Sequence, residues 1–198
     1  MRHLTVILAL IATLTLAGCG APRYVAPTAK LDAPPAGKAL INLHYLNNGP
    51  KTSGYPLFDG HGKLIGHIRS HTLHQVVVDP GDHYFLSHDG TIGALKVTAT
   101  AGNVYDAIAD YTSFYWGGVV GFKSGVAMLW KAVPRTGELR DLVKAGEPDE
   151  VTVTLDRSAP DVAALEREYA AENAKALKAY TEGEQKKDLQ VLPADWHR

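Results

Sequence analysis

The sequence predicts a mostly β fold, a small antiparallel β-sandwich with an added C-terminal α-helix. Between residues 38 and 155, about nine short apolar segments alternate with turn sequences rich in glycine, proline and asparagine. This spacing is typical of an all-β sandwich. After residue 158 the composition changes to Ala, Leu, Glu and Lys, which favour helix.

Length and composition limit the classes of protein to consider. The chain has 198 residues, of which 45% are hydrophobic and 21% charged, which predicts one folded domain with flanking segments. The formal net charge of −1 gives no basic surface for nucleic acid, so no nucleic-acid partner is expected. Cys19 is the single cysteine, which excludes a disulfide within the chain.

Residues 1–18 read as a secretory signal peptide. A charged Arg2 precedes an apolar run over residues 4–16, which is shorter than the roughly 20 apolar residues that cross a bilayer. The run ends in Leu16-Ala17-Gly18-Cys19, which resembles the lipobox of bacterial lipoproteins. The alternative is an ordinary signal peptide that contains a cysteine.

The lipobox resemblance implies that Cys19 receives fatty acyl chains, palmitate among them, and becomes the mature N-terminus. Two or three acyl chains bury enough CH₂ groups, at about 0.8 kcal/mol each, for lasting membrane attachment. Gly20 stands where an aspartate marks inner-membrane retention in such lipoproteins. The resemblance therefore implies the cell envelope, and the outer membrane facing the periplasm.

Residues 19–37 read as a lipidated cysteine followed by a proline-rich tether. Pro22, Pro27, Pro34 and Pro35 favour extended backbone and cannot donate to a sheet ladder. At about 3.1 Å per residue such a tether reaches roughly 50 Å. The alternative is a strand-like arm packed on the domain.

Residues 38–155 are predicted to form the β-sandwich domain. Ala39–Tyr45 alternates apolar and polar residues, the pattern of a half-buried strand. Residues 55–58 and Leu64–Ile68 flank a glycine turn and predict a hairpin, and Asp79-Pro80-Gly81-Asp82 predicts a second hairpin between the strands on either side of it. Further strands are predicted at residues 94–99, 104–109, 127–133 and 151–155, and a short helix at 137–144.

Four short motifs in this domain resemble one family of bacterial envelope lipoproteins. They are Gly37-Lys38-Ala39-Leu40-Ile41, Gly62-Lys63-Leu64-Ile65-Gly66, Val76-Val77-Val78-Asp79-Pro80-Gly81-Asp82-His83 and Ala101-Gly102-Asn103-Val104-Tyr105. That family carries a domain of unknown function similar to PEGA-type β-sandwiches. The resemblance implies fold and location, and it brings no catalytic residues.

Histidine is unusually concentrated, since seven of nine lie between positions 44 and 88. Neutral imidazole is a common metal ligand, which makes His44, His67 and His71 candidate ligands. In the second predicted hairpin His74 and His83 share a face but lie about 13 Å apart, too far for one ion. Solvated or structural histidines are the alternative, and no cofactor is predicted.

The sequence offers no constellation typical of an enzyme. Ser87-His88-Asp89 are consecutive, so neighbouring side chains in a strand point to opposite faces and cannot form a relay. No Gly-x-Ser-x-Gly motif is present. The glycine-containing stretches at 60–66 and 117–124 depart from the dinucleotide and phosphate-loop patterns. A non-catalytic protein is expected.

Residues 111–122 combine five aromatic residues with a glycine-rich stretch. The favoured interpretation is that Phe114, Trp116 and Phe122 close one end of the sandwich core. The alternative is a recognition loop at Tyr115, Trp116 and Phe122, because exposed aromatic side chains beside glycines can form a binding patch.

Residues 156–198 are predicted to form a charged helical segment, with helix from Ser158 to about Gln190. A narrow apolar stripe allows this helix to dock on the sandwich, or to project and contact a partner. Together these features predict a lipid-anchored, non-catalytic binding or structural module that contacts an envelope protein or cell-wall polymer. The alternative function is binding of a metal or small ligand by the histidine-rich hairpins.

Overall fold

The protein folds as two mixed β-sheets with helices on their outer faces. The structure is a computed structural model that describes residues 22–46, 54–88, 92–118 and 121–198, and within residues 111–129 it describes the backbone alone. Eleven strands are present in this part of the chain. They are β1 (Val25–Pro27), β2 (Ala39–Tyr45), β3 (Tyr55–Asp59), β4 (Leu64–Ile68), β5 (Thr72–Val78), β6 (Gly81–His88), β7 (Ile92–Ala99), β8 (Val104–Gly118), β9 (Gly121–Ala132), β10 (Val151–Leu155) and β11 (Gln190–Leu192).

Two α-helices accompany the strands. Helix α1 (Glu138–Gly146) precedes β10, and helix α2 (Pro160–Thr181) follows it. Short 3-10 turns at Glu147–Asp149 and Glu184–Asp188 complete the connections. No helix in the described part of the chain is long and apolar enough to cross a membrane.

The strands divide between a six-stranded sheet, sheet A, and a five-stranded sheet, sheet B. Sheet A has the order β1-β10-β5-β2-β8-β9, and sheet B has the order β11-β7-β6-β3-β4. Most neighbours are antiparallel, but β2–β8, β10–β5 and β11–β7 are parallel. The mostly β, sandwich-like class is therefore confirmed, with parallel pairs that the local turn sequences did not predict.

The main core lies between the two sheets. Side chains from alternate positions of each sheet meet there, which is the packing expected of face-to-face sheets. Trp130 and Tyr105 are its largest fully buried members, and Phe85 and Leu95 oppose them from sheet B. The same cluster includes Leu192 of β11, so the end of the chain closes the sandwich.

Strand β2 has the predicted bounds, but the half-buried prediction is wrong. All seven of its residues are buried, including Asn42 and His44 on the face expected to meet solvent. Contacts from Arg140 of α1, from Glu150 and from the backbone of Leu31 cover this outer face. A strand buried on both faces needs partners for its polar side chains.

The predicted β3–β4 hairpin is confirmed, with Tyr55 opposite Ile68. The second predicted hairpin is wrong, because β5 belongs to sheet A and β6 to sheet B. The Asp79-Pro80 connection therefore crosses between sheets. Gly81, at a φ of 134°, forms the corner in a conformation that favours glycine. Each flanking strand finds two other neighbours, so local turn chemistry could not distinguish this crossing from a hairpin.

The proline-rich segment before β2 packs on the domain where we expected a tether. β1 pairs antiparallel with β10, from Val25 opposite Leu155 to Pro27 opposite Val153. β1 is the edge strand of sheet A, a position in which proline is tolerated. The strand-like arm, which the sequence left as an alternative, is the arrangement found over these residues.

Residues 111–118 and 121–122 belong to the long antiparallel pair of β8 and β9, where we expected a loop. The ladder runs from Ala107 opposite Ala132 to Gly118 opposite Gly121. Aromatic and β-branched residues favour strands, and this preference outweighs the glycines. The side chains of Tyr115, Trp116 and Phe122 lie outside the described part of the structure, so their role in recognition stays a prediction.

Helix α2 docks on the outer face of sheet B. Val162 packs with Phe58 and Leu64, while Ala176 and Tyr180 pack with Leu86 and Ala94. The helix ends at Thr181, nine residues before the predicted end near Gln190. A 3-10 turn then returns the chain so that β11 can pair in parallel with β7.

Candidate functional site

A cluster of buried polar residues lies on the outer face of sheet A. β2 supplies Asn42 and His44, and the parallel strand β8 places Asp106 beside them. Arg140 reaches the cluster from α1, and Glu150, the residue immediately before β10, reaches it from the other side of His44. We call these five residues the sheet A cluster.

His44 lies between two carboxylates. Its Nε2 is 3.0 Å from Oδ1 of Asp106, and its Nδ1 is 2.9 Å from Oε2 of Glu150. A neutral imidazole has one N–H donor, whereas the imidazolium has two. The geometry therefore fits a protonated His44 that donates to both carboxylates.

Asp106 is the centre of the sheet A cluster. Its Oδ1 also accepts a hydrogen bond from Nδ2 of Asn42 at 2.8 Å. Its Oδ2 accepts a hydrogen bond from the guanidinium of Arg140, and Nε of Arg198 lies 3.7 Å away. The carboxylate is thus surrounded by donors and cations.

These contacts change the pKa values of both central groups. Burial by itself lowers the pKa of His44, but its hydrogen bonds to Asp106 and Glu150 outweigh burial and raise the pKa above the ordinary value. Burial would raise the pKa of Asp106. Hydrogen bonds from His44 and Arg140 and the nearby Arg198 charge instead hold it well below the usual range. The charged pair is therefore the stable form near neutral pH.

An outer ring of polar contacts attaches other segments to this cluster. Oδ1 of Asn42 accepts a hydrogen bond from Nε2 of Gln75 at 2.9 Å, and Gln75 is bonded in turn to the backbone of Leu31. Glu147 forms ion pairs with Arg198 at 3.0 Å and with Lys30 at 3.4 Å. The cluster thus joins the N-terminal arm, the β-sheet and the C-terminus.

The side chains of the sheet A cluster are buried. The side chains of His44 and Asp106 are 0% exposed, Glu150 is 2% exposed and Arg140 is 5% exposed. No serine, threonine or cysteine contacts His44 among its described hydrogen bonds. In the described part of the chain, His44 is therefore paired with charged groups.

His67, the second candidate ligand, lies on β4 in a different environment. Its Nδ1 is 2.7 Å from the hydroxyl of Tyr24. Burial lowers the pKa of His67 to about 4, with the nearby Arg69 charge acting in the same direction and a hydrogen bond to the Gly54 backbone opposing it. His67 is therefore neutral at pH 7, and its Nδ1 accepts a hydrogen bond from the Tyr24 hydroxyl.

The three candidate metal ligands do not form one site. His71, the third, sits in the β4–β5 connection with a φ of 57°. His44 and His67 belong to different sheets, and both ring nitrogens of His44 already face carboxylates. In the described residues, no group of three His, Cys, Asp or Glu side chains is placed to hold a metal ion.

A groove of about 820 Å³ runs between α2 and the β3–β4 turn. Lys63 and Glu166 form an ion pair of 3.1 Å across it. Asn173, one of the lining residues, is bonded behind the groove to His88, whose Nε2 is 2.6 Å from Oδ1 of Asn173. The lining mixes basic, acidic and small apolar residues, so it selects no single ligand chemistry.

The sequence reasoning missed Asp106, Arg140 and Glu150 as members of the sheet A cluster. The signal for Asp106 was available, since it is the one charged residue in the otherwise apolar stretch of residues 104–108. A carboxylate inside a buried strand requires a partner. Arg140 and Glu150 carried no such signal, because both lie in polar segments that look solvated.

Cys19 precedes the described residues, so its modification stays a prediction. Comparison with known proteins adds no assignment for it or for the domain. No protein-family model, curated protein or solved structure matches the chain.

Proposed function

We propose that the chain is a lipid-anchored lipoprotein of the bacterial periplasm and a non-catalytic binding or structural module of the cell envelope. The observation that carries this proposal is Leu16-Ala17-Gly18-Cys19 at the end of a short apolar run, with Cys19 as the single cysteine. Gly20 after the cysteine favours the outer membrane.

The arrangement of the domain supports a non-catalytic role. Buried charged groups in enzymes are arranged so that some of them face a substrate. In the sheet A cluster the charges of His44, Asp106 and Glu150 face each other behind α1. These charged contacts therefore attach α1 and the residue before β10 to sheet A.

The first experiment compares the wild-type chain with Cys19→Ser in a Gram-negative host. Wild type should co-sediment with membranes and resist extraction by high salt, because acyl chains hold it through the hydrophobic effect. Cys19→Ser should be soluble in the periplasm or remain as an unprocessed precursor. A Cys19→Ser chain that is normally cleaved and still membrane-bound would contradict the proposal.

The second experiment addresses the destination and the partner. Gly20→Asp should move the anchored chain from the outer-membrane to the inner-membrane fraction of a density gradient. Crosslinking in living cells should then capture an envelope protein or wall fragment with wild type and lose it with Gly20→Asp. Loss of membrane attachment in Gly20→Asp, or equal capture by both chains, would count against the assignment.

A further inference from the structure

We infer that the anchored protein holds the β1 end of its sandwich directly against the lipid headgroups. The inference rests on the proposed lipidation of Cys19. In this arrangement the surface around the start of β1 faces the membrane, and the domain touches the bilayer instead of standing far from it.

Tyr24 attaches the N-terminal segment to the folded domain. This side chain is 6% exposed and packs with Phe58, Leu64 and Val162. Its hydroxyl is 2.7 Å from Nδ1 of His67, and its backbone carbonyl accepts a hydrogen bond from the N–H of Asp156 at 2.8 Å. β1 then continues the attachment by pairing with β10.

The chain between Tyr24 and the lipid is short. From Cys19 to Tyr24 there are five residue steps, which span at most about 18 Å whatever their conformation. The polar headgroup layer of a leaflet is about 5–8 Å thick. Tyr24 therefore lies at most about 10–13 Å beyond the headgroup layer, a distance that lets surface side chains around it touch the headgroups.

Charged residues of both signs surround the start of β1. Arg23, Lys63 and Arg157 lie on or beside this end of the domain, together with the acidic residues Asp156, Asp161 and Glu166. Glu166 pairs with both Lys63 at 3.1 Å and Arg157 at 3.3 Å. These six residues carry no net charge between them, so we assign the contact to the short tether and not to anionic lipid.

The orientation of the domain follows from the strand directions. β1, β2 and β8 run in the same direction, because β1 opposes β10, β10 is parallel to β5, and β5 opposes β2. β8 continues for ten residues past Ile108, which pairs with His44 near the end of β2. β8 and β9 therefore extend past the end of β2 on the side of sheet A opposite the anchor, where a partner beyond the membrane surface can reach them.

The test uses the fact that acylated Cys19 leaves no free thiol, so an introduced cysteine is the single labelling site. Ala164→Cys lies on α2 near Val162, which contacts Tyr24, and Ala145→Cys lies on α1, which packs at the far end of β2 beside Leu46. Both alanines are exposed. Each full-length lipidated variant carries a fluorophore and is reconstituted in phosphatidylcholine vesicles with a contact-range nitroxide quencher on a fraction of headgroups.

The label at position 164 should be quenched several-fold more than the label at 145. A twelve-residue Gly-Ser insertion after Gly20 should reduce quenching at 164 to the level at 145. Equal quenching at both positions, or an insertion without effect, would overturn the inference while anchoring stands. A chain that does not float with the vesicles would overturn the anchoring proposal itself.

Tyr24→Ala provides a second test that leaves the linker length unchanged. Loss of the buried ring should detach β1, and the next attachment is then the backbone N–H of Thr28, which donates to the carbonyl of Thr152 and lies up to about 32 Å from Cys19. Quenching at 164 should fall, and circular dichroism should retain the sheet signal. Unchanged quenching in a chain whose β1 has become protease-sensitive would contradict the proposed geometry.

Discussion

Replacing Asp106 with asparagine removes the central charge of the sheet A cluster and keeps the size of the side chain. In the native chain this carboxylate is 0% exposed and accepts hydrogen bonds from Asn42, His44 and Arg140. In Asp106→Asn the guanidinium of Arg140 stays buried without an opposing charge. Breaking a buried ion pair in this way costs about 3–5 kcal/mol.

That cost is a large part of the about 5–15 kcal/mol that separates folded from unfolded domains. With a urea slope of about 2 kcal/mol per molar, the unfolding midpoint of Asp106→Asn should fall by about 2 M at pH 7. The assay is urea unfolding of the chain followed by tryptophan fluorescence and circular dichroism.

Asp79→Asn is the matched control, since Asp79 forms an ion pair of 2.6 Å with Lys38 but its side chain is 75% exposed. Exposed pairs of this kind contribute little, so the control should leave the midpoint unchanged within error. Adding Arg140→Met to Asp106→Asn should recover part of the loss, because it removes the unpaired buried charge. If Asp106→Asn behaved like the control, the structural role assigned to the cluster would be wrong.

Three further changes test other parts of the fold. Burial lowers the pKa of His74 to about 4, so between about pH 6.5 and about pH 4 the unfolded chain binds a proton that the folded chain does not. The free energy of unfolding should therefore fall by about 3 kcal/mol as the pH is lowered through this range, and His74→Leu should flatten that part of the pH profile. Gly66→Ala should lower the melting temperature, because a Cβ would lie 2.2 Å from Cε1 of His74, and His74→Ala should relieve the clash. Removing residues 158–198 should yield insoluble protein, since Val162 of α2 covers Phe58 and Leu64; a soluble chain with native circular dichroism would contradict this packing.

The local elements were accessible from the sequence because they depend on neighbouring residues. The bounds of Ala39–Tyr45, Leu64–Ile68 and Val151–Leu155 follow from apolar segments between turn residues. The docking of α2 follows from its apolar stripe. These features have a local period that a single strand or helix displays by itself.

The pairing of strands could not be obtained in the same way. Asp79-Pro80-Gly81-Asp82 has the chemistry of a tight turn, and it serves equally well at a crossing between two sheets. The outcome depends on the neighbours that β5 and β6 find elsewhere in the chain. The same reason explains β1, whose proline is acceptable because it lies at a sheet edge.

The candidate site shows a similar division. The sequence singles out His44 as a candidate metal ligand, whereas in the structure its partners are the carboxylates of Asp106 and Glu150. The alternating pattern of β2 does not reveal that α1 covers its polar face. Once that face is buried, the requirement that buried charges be paired predicts a cluster of this kind.

The most direct test of the central claim is the intact mass of the mature protein purified from membranes. The account predicts a chain that begins at Cys19 and carries the added mass of a diacylglyceryl group, with or without a third acyl chain, which a palmitate analogue labels in wild type and not in Cys19→Ser. A mature chain that begins after residue 19, or that begins at Cys19 with a free thiol, would contradict it.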